Sequence, residues 1–127
     1  MNWFRAKKSK YKAEKVNFHG RSFHSKLEAA VYGLLLLREK AGEITDIKCQ
    51  VHVKFHTYEH GNIHIIPDFS AVDIKTGELF FVEAKGMETR EWARKRKAWL
   101  MAGPSRMEIW KGNFRNPKLT EILIPKV

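Results

Sequence analysis

The sequence has little that would tie it to an oxidising compartment or to a membrane. Cys49 is the only cysteine, so no disulfide can form within the chain and a reducing compartment is expected. The N-terminal residues lack the apolar segment of a signal peptide. No hydrophobic run approaches the roughly 20 residues that span a bilayer. We therefore expect a cytoplasmic protein with no membrane contact.

Negative charge is also scarce. The chain of 127 residues has 14 Asp and Glu against 24 Lys and Arg, for a formal net charge of +10. Such an excess in a small domain predicts a polyanionic partner, most often nucleic acid, although a merely basic soluble protein is the alternative. Hydrophobic residues make up 43% of the chain, which excludes wholesale disorder and is enough for one core. No small-molecule cofactor is expected.

The first 20 residues are rich in lysine, with aromatic residues interleaved. Like charges at this density resist packing, so residues 1–20 are predicted to be a mobile or loosely docked basic arm before a single domain at 21–127. Lys7, Lys8 and Lys10 are candidates for contacts with nucleic-acid phosphates. The alternative is a solubilising tail.

Two segments have helical patterns. Residues 26–41 are dominated by Ala and Leu, with Ser25 as a suitable N-cap and Gly42 as a suitable stop. A second helix is predicted over residues 88–102, where Gly103 and the following proline end the pattern.

Between and after these helices the pattern predicts strands. Apolar residues alternate over 47–55, and a second apolar run follows a turn but contains Pro67, so it is predicted to be two short pieces. Residues 79–85 form the third strand, with both faces covered. Residues 106–110 and 119–125 are predicted to be the last two strands. The order is helix, three antiparallel strands, helix, strand, which is an α/β (α+β) fold.

Charged residues interrupt the second and third of these strands. If a turn at residues 75–78 joins the two strands, Asp68 faces Lys85 and Ser70 faces Glu83, with all four on one face. Asp68 and Glu83 are then diagonal neighbours, roughly 7–8 Å apart at the backbone. That separation allows both carboxylates to reach one cation.

Two carboxylates and a lysine on one face suit a particular chemistry. Hard oxygen ligands with open positions favour Mg²⁺ or Mn²⁺, which keep waters and bind substrate phosphates. The metal activates a water, and Lys85 can orient or deprotonate it. The alternative is that Glu83 and Lys85 form an ordinary surface ion pair.

Pro67-Asp68 followed by Glu83-x-Lys85 resembles the signature of the PD-(D/E)xK nuclease superfamily. The resemblance implies a restriction-endonuclease-like αβββαβ core, with a mixed sheet flanked by helices. It also implies that Asp68 and Glu83 bind metal and that Lys85 is catalytic.

The segment "GRSFHSKLEA" (20–29), followed by Gln50, resembles small phage and prophage nucleases and the end-cleaving subunits of some transposases. Holliday-junction resolvases of the same superfamily carry a glutamate on the first helix. By this resemblance Glu28 is a further catalytic and metal-binding residue, with Ser25 and Gln50 in support. The alternative is a capping box, in which Glu28 bonds back to the N-cap amide at Ser25.

The second predicted helix carries a run of basic residues. Arg94, Lys95 and Lys97 follow closely on the third strand, so contacts with DNA phosphates are expected from them. The alternative is a solvated helix face.

Histidines recur every four residues from His52 to His64. A zinc site that includes Cys49 is conceivable. However, the segment is predicted to be strand and turn, which cannot place all the histidines on one face.

These features together predict a Mg²⁺-dependent DNA endonuclease. Branched DNA is the expected substrate, because no additional domain for sequence recognition is present. Symmetric cutting of a junction needs two active sites, so a homodimer is expected, with Trp3, Phe4, Trp110 and Phe114 as candidate interface residues. The alternative is a nuclease-fold DNA-binding subunit of a transposase or of a phage packaging or recombination machine.

Overall fold

The computed structural model of the chain describes residues 6–8, 14–85 and 87–126, with side chains described from Val16 onward. These residues form an α+β fold of two helices and ten strands. Neither helix has the length and apolar character needed to cross a membrane. In chain order the elements are β1 (Ala6–Lys8), β2 (Glu14–Phe18), β3 (Arg21–Phe23), α1 (Lys26–Lys40), β4 (Ile44–Cys49), β5 (Val53–Thr57), β6 (Gly61–Ile65), β7 (Phe69–Asp73), β8 (Leu79–Ala84), α2 (Arg90–Ala102), β9 (Met107–Lys111) and β10 (Lys118–Leu123).

The main sheet has five strands in the order β10-β9-β8-β7-β4. All its neighbours are antiparallel except β8 and β9, which are parallel and connected through α2. A two-stranded sheet of β5 and β6 and a three-stranded sheet of β1, β2 and β3 complete the architecture. The predicted order of helix, three antiparallel strands, helix and strand is confirmed by α1, β4, β7, β8, α2 and β9.

Helix α1 covers one face of the main sheet. Ser25 is its N-cap, as predicted, and the Ser25 hydroxyl accepts a hydrogen bond from the Glu28 amide at 3.0 Å. The helix ends before Gly42, whose φ of +80° is a conformation that glycine adopts without strain. Leu35 of α1 packs with Phe80 and Val82 of β8 in the core on this side.

Helix α2 covers the opposite face. The Thr89 hydroxyl caps it by accepting from the Trp92 amide at 3.1 Å. Trp99 is fully buried between α2 and the sheet, and its indole N–H donates to the Ser105 carbonyl at 2.8 Å. Gly103 ends the helix as predicted, and a Cβ at this position would lie 2.7 Å from the Trp99 carbonyl oxygen. Only glycine therefore permits this close turn.

The prediction of one strand over residues 47–55 is wrong. The strand β4 ends at Cys49, and residues 53–57 instead form β5, which pairs with β6 in a separate hairpin. The break lies at Gln50, which has a φ of 55° and whose amide donates to the Asp68 carbonyl at 3.0 Å. The predicted break at Pro67 is confirmed, because it separates β6 from β7.

The predicted register of β7 and β8 is wrong by two residues. Val72 pairs with Leu79, and Ser70 lies opposite Phe81 instead of Glu83. Residues 74–78 form the connection, which is held by the Gly77 amide donating to the Asp73 carbonyl at 2.7 Å. Side chains alternate with a period of two, so this shift leaves every residue on its predicted face.

Part of the predicted basic arm is integrated into the fold. The strand β2 pairs with β3, and Val16 is 1% exposed in the core beneath α1. The prediction of a loosely docked arm is therefore wrong for residues 14–18. Lys10 lies outside the described residues, and Lys7 and Lys8 belong to β1 but their side chains are not among those described.

Candidate functional site

The observed register brings Asp68 and Glu83 level with each other on adjacent strands. Asp68 directly precedes β7, and Glu83 lies near the end of β8. The Asp68 carboxylate accepts from the Ala84 amide at 2.8 Å, and the Glu83 carboxylate accepts from the Asp68 amide at 3.3 Å. These two bonds cross between the strands and fix both carboxyl groups on the face covered by α2. The prediction that Asp68 faces Lys85 is wrong, because Glu83 occupies that position.

The two carboxyl groups are close enough to perturb each other's ionisation. Glu83 is 8% exposed, and burial raises its pKa to about 9, with further contributions from the negative charge of Asp68 and from a hydrogen bond to the Asp68 side chain. Burial also raises the pKa of Asp68, although hydrogen bonds from Glu83 and Ala84 oppose the shift. Without a cation, burial and the charge of Asp68 therefore disfavour the ionised form of Glu83.

Glu28 is a third acidic group near this pair. It lies in the first turn of α1 and is 6% exposed. Burial raises its pKa to about 8, with a further contribution from the charge of Asp68. Its carboxylate accepts from the backbone of His24, and the His24 imidazole nitrogen Nδ1 lies 3.8 Å from Glu28 Oε2. The Ser25 hydroxyl therefore caps the helix, and the ionisation of the Glu28 carboxyl group depends on the charge of Asp68.

Two hollows border the acidic groups. One of about 200 Å³ is lined by Glu28 and Gln50 together with Arg21. The other, of about 300 Å³, is lined by Glu83 and Lys85 together with residues of β6 and α2. The structure therefore places Gln50, which the sequence predicted as a supporting residue, in the cleft beside α1. Asp68 interacts with the acidic group of each hollow. Its side chain is hydrogen-bonded to Glu83, and its negative charge raises the pKa of Glu28.

Lys85 shares a face with Glu83 but points towards an aromatic ring. Its Nζ lies 4.6 Å from the centre of the Trp92 ring, a cation–π contact that holds the side chain beside the hollow. The positive charge of Lys85 lowers the pKa of both Asp68 and Glu83. Its amide donates to the Trp110 carbonyl at 2.8 Å, which fixes the backbone at the end of β8.

Sequence reasoning missed Trp92 and His64 as parts of this site. Trp92 supplies the ring under Lys85, and His64 of β6 lines the same hollow as Glu83. The only available signal for His64 was its alternate position on the strand that leads to Pro67-Asp68. No local pattern indicated that Trp92 would contact Lys85.

The predicted phosphate-binding residues lie on α2 in different environments. Arg94 and Lys97 are exposed. Lys95 is half-buried, pairs with Glu91 at 3.4 Å and lines the hollow of Glu83. The neighbouring Arg96 is bound to the carboxylate of Glu121 on β10, which anchors α2 to the sheet.

The donor set fits magnesium as a pair of ligands. Among the described residues, no group of three or more His, Cys, Asp or Glu side chains converges on a metal position. Asp68, Glu83 and Glu28 are therefore not gathered as three direct ligands. Mg²⁺ needs only one or two carboxylates, since waters and substrate phosphates complete its octahedron. The mutual destabilisation of the ionised Asp68 and Glu83 is what a cation there would relieve.

The histidines of residues 52–64 do not gather around a metal position. Within the described residues, His52 Nδ1 lies 2.9 Å from His64 Nε2, whereas His56 contacts Asn62 at 3.0 Å. Cys49 lies elsewhere, at the end of β4, where the Arg21 guanidinium is 3.6 Å from its sulfur.

Residues 8–122 match the model of a family described as a protein of unknown function (DUF1064). The chain belongs to the DUF1064 family. This range of the DUF1064 domain includes Glu28, Asp68, Glu83 and Lys85. The chain matches no curated protein and no solved structure.

Proposed function

We propose that this DUF1064 protein is a Mg²⁺-dependent endonuclease that hydrolyses phosphodiester bonds in DNA. The observation that carries the proposal is the carboxyl pair of half-buried Asp68 and buried Glu83, which has no arginine or lysine ion-paired to it in the described part of the chain. A buried charge that lacks a partner is costly, so its retention points to a bound cation. The similarity of the order α1, β4, β7, β8, α2, β9 to the αβββαβ core of PD-(D/E)xK nucleases further supports the proposal.

The residues around the pair take distinct roles in this proposal. Asp68 and Glu83 would hold Mg²⁺, which supplies an activated water and neutralises charge on the phosphate. Lys85, positioned by Trp92, orients the attacking water and stabilises negative charge that develops on the phosphoryl oxygens. Glu28 accepts a proton or orients solvent on the α1 side of Asp68.

The charge distribution supports a nucleic-acid substrate. The net charge is +10, and exposed Arg94 and Lys97 lie on α2, the helix whose Lys95 lines the hollow that contains Glu83. Branched DNA remains our preferred substrate, with a homodimer supplying two active sites. Trp110 and Phe114 are partly buried against the core beneath α1, which leaves them less area for an interface. Trp3 and Phe4 lie outside the described residues.

The proposal is tested by incubating the purified protein with Mg²⁺ and linear, flapped and four-way DNAs of equal length. We expect cleavage that requires Mg²⁺, favours the four-way junction and is absent in the Asp68→Asn/Glu83→Gln variant. Binding to these DNAs in Mg²⁺ without cleavage of any of them would overturn the proposed enzymatic activity. It would favour the alternative, a nuclease-fold DNA-binding subunit. Equal cleavage of linear and four-way DNA would overturn only the branched-DNA preference.

A further inference from the structure

The hairpin of β5 and β6 has one buried face and one open face. Val53, Ile63 and Ile65 point inwards and belong to the core on the α2 side, where Phe55 also packs edge-on against Trp99 with ring centres 5.7 Å apart. The outward face consists of four exposed residues in two cross-strand pairs, Lys54 with His64 and His56 with Asn62. We call these four residues the ribbon face.

The ribbon face carries one positive charge, that of Lys54, which the described residues do not neutralise. Lys54 makes no ion pair with a carboxylate among the described residues, and His64 meets a second imidazole, that of His52, at 2.9 Å. The pKa of His64 is lowered, first by desolvation and then by the positive charges of His52, Lys54 and Lys95. Only one acidic residue, Glu59, interrupts residues 52–66. An anion placed on this face would gain Lys54 as a charged partner.

The ribbon face is continuous with the proposed catalytic hollow. His64 belongs to the ribbon face and also lines the hollow that contains Glu83, Lys85 and Lys95. A shallow groove of about 480 Å³ runs along the same residues of the hairpin. A polyanion whose cleaved phosphate lies at Glu83 would therefore extend directly over Lys54 and His64.

The tip of the hairpin adds an aromatic ring. Tyr58 lies in the turn between β5 and β6, and its side chain is fully exposed at 101% of the reference area. An exposed tyrosine next to the groove that Lys54 lines is a platform on which an unpaired base can stack.

We propose that the ribbon face is a second nucleic-acid-binding surface, which holds the substrate's phosphates beside the cleavage site and stacks an unpaired base on Tyr58. This inference rests on the proposed nuclease function and extends it to a substrate with single-stranded or branched character. Charge complementarity favours nucleic acid over an acidic protein, because the chain carries a net charge of +10 and the groove leads to a phosphodiester-cleaving hollow.

The charge contribution is tested by binding of fluorescent four-way DNA in EDTA, where no cleavage occurs. We expect Lys54→Ala/His64→Ala to weaken binding about fivefold to tenfold near 0.1 M salt and to reduce the salt slope by about 1. The matched control is Lys75→Ala, which removes an exposed charge from the turn at the opposite end of β7 and should change binding by less than about twofold. Equal losses for both variants would indicate a non-specific charge effect and overturn the surface.

The stacking contribution is tested at the tip. Tyr58→Ala should weaken binding to junction or single-stranded DNA about tenfold, whereas Tyr58→Phe, which keeps the ring, should bind as the wild type does. Tyr58 is exposed, so the melting temperatures of both variants should equal that of the wild type. If Tyr58→Ala binds DNA as tightly as the wild type does, the hairpin tip is not part of the binding surface.

The outcomes separate this inference from the function on which it rests. If Arg94→Ala/Lys97→Ala weakens DNA binding but the ribbon variants do not, the nuclease proposal survives and the ribbon surface is wrong. If the ribbon variants weaken binding but Mg²⁺ produces no cleavage by any form of the protein, the surface stands and the nuclease proposal is wrong. Competition by polyglutamate as effective as that of DNA would contradict a nucleic-acid-specific surface.

Discussion

Glu83 and Glu108 are buried glutamates on neighbouring strands of the main sheet, but they face opposite sides of it. Glu108 lies on the α1 side, where Arg38 Nη1 is 3.0 and 3.3 Å from its two oxygens and the Trp110 indole donates at 3.1 Å. Glu83 lies on the α2 side, where its neighbours include another carboxyl group, that of Asp68. The two residues are 4% and 8% exposed, so burial alone does not distinguish them.

The difference lies in whether the protein supplies its own cation. At Glu108 it does, and a buried carboxylate with a bonded guanidinium is the ordinary structural solution. At Glu83 the nearest positive charge, Lys85, is held over Trp92, and the pKa of Glu83 is about 9. The comparison indicates that Glu108 stabilises the fold, whereas Glu83 has no such structural partner and, under our proposal, binds an external cation.

The largest expected effect is on catalysis. Asp68→Ala or Glu83→Ala should reduce Mg²⁺-dependent DNA cleavage by about 10³-fold or more, because each removes a proposed metal ligand. DNA affinity in EDTA or Ca²⁺ should stay within about threefold of wild type, since lysine and arginine contacts supply it. Glu108→Gln is the matched control and should cleave normally at a temperature where it is folded. Wild-type cleavage by either alanine variant would refute the site.

A smaller catalytic effect is expected at Lys85. Lys85→Ala should lower kcat by about 10²-fold or more, because the lysine acts on the water or the phosphate and not on the metal. Stabilisation of the protein by Mg²⁺ should be retained. Turnover at the wild-type rate would show that Lys85 only balances charge on the sheet.

The structural partner in the comparison should respond in stability. Glu108→Gln leaves Arg38 without its charged acceptor, so the free energy of unfolding should fall by about 2–3 kcal/mol in urea denaturation. Glu83→Gln removes a carboxyl group whose ionised form is disfavoured by burial, so the free energy of unfolding should fall by less than about 1 kcal/mol at pH 8. Equal losses at the two positions would remove the distinction drawn between them.

The raised pKa values predict how metal-free stability depends on pH. The folded-state values of Glu28 (about 8) and Glu83 (about 9) exceed the ordinary value of 4.5, so the native state keeps protons that the unfolded state has released. The free energy of unfolding should therefore fall between pH 5 and 9, by about 2 kcal/mol or more relative to Glu28→Gln/Glu83→Gln. Urea titrations across this range in EDTA measure it. Parallel curves for the two proteins would contradict the perturbed carboxyl groups.

Much of the fold was predictable because its signals are local. The helix ends depend on single residues beside them, namely Ser25, Gly42 and Gly103. Pro67 interrupts the apolar run because a proline has no amide to donate to a strand ladder. The break at Gln50 was not predictable. A period of two shows that residues 47–55 are extended, but not that they belong to two sheets. The positive φ of Gln50 accompanies a hydrogen bond to the distant Asp68 carbonyl.

In the candidate site, too, features set by local patterns were predictable and features set by tertiary packing were not. Asp68, Glu83 and Lys85 could be placed on one face because strand alternation survives a two-residue error in register. The error itself arose at the turn, where the amides of Thr76 and Gly77 both donate to Asp73 and the connection begins at residue 74 instead of 75. Contacts from α2, such as the ring of Trp92 under Lys85, depend on how a helix packs across the sheet, and no sequence spacing reports that.

Calorimetric titration of Mg²⁺ at pH 8 tests the central claim most directly, namely that the pair of Asp68 and Glu83 is a cation site. The wild type and Glu108→Gln should both bind Mg²⁺ with proton release, whereas Glu83→Gln should bind at least about tenfold more weakly. Binding that is absent from the wild type, or unchanged in Glu83→Gln, would contradict the account.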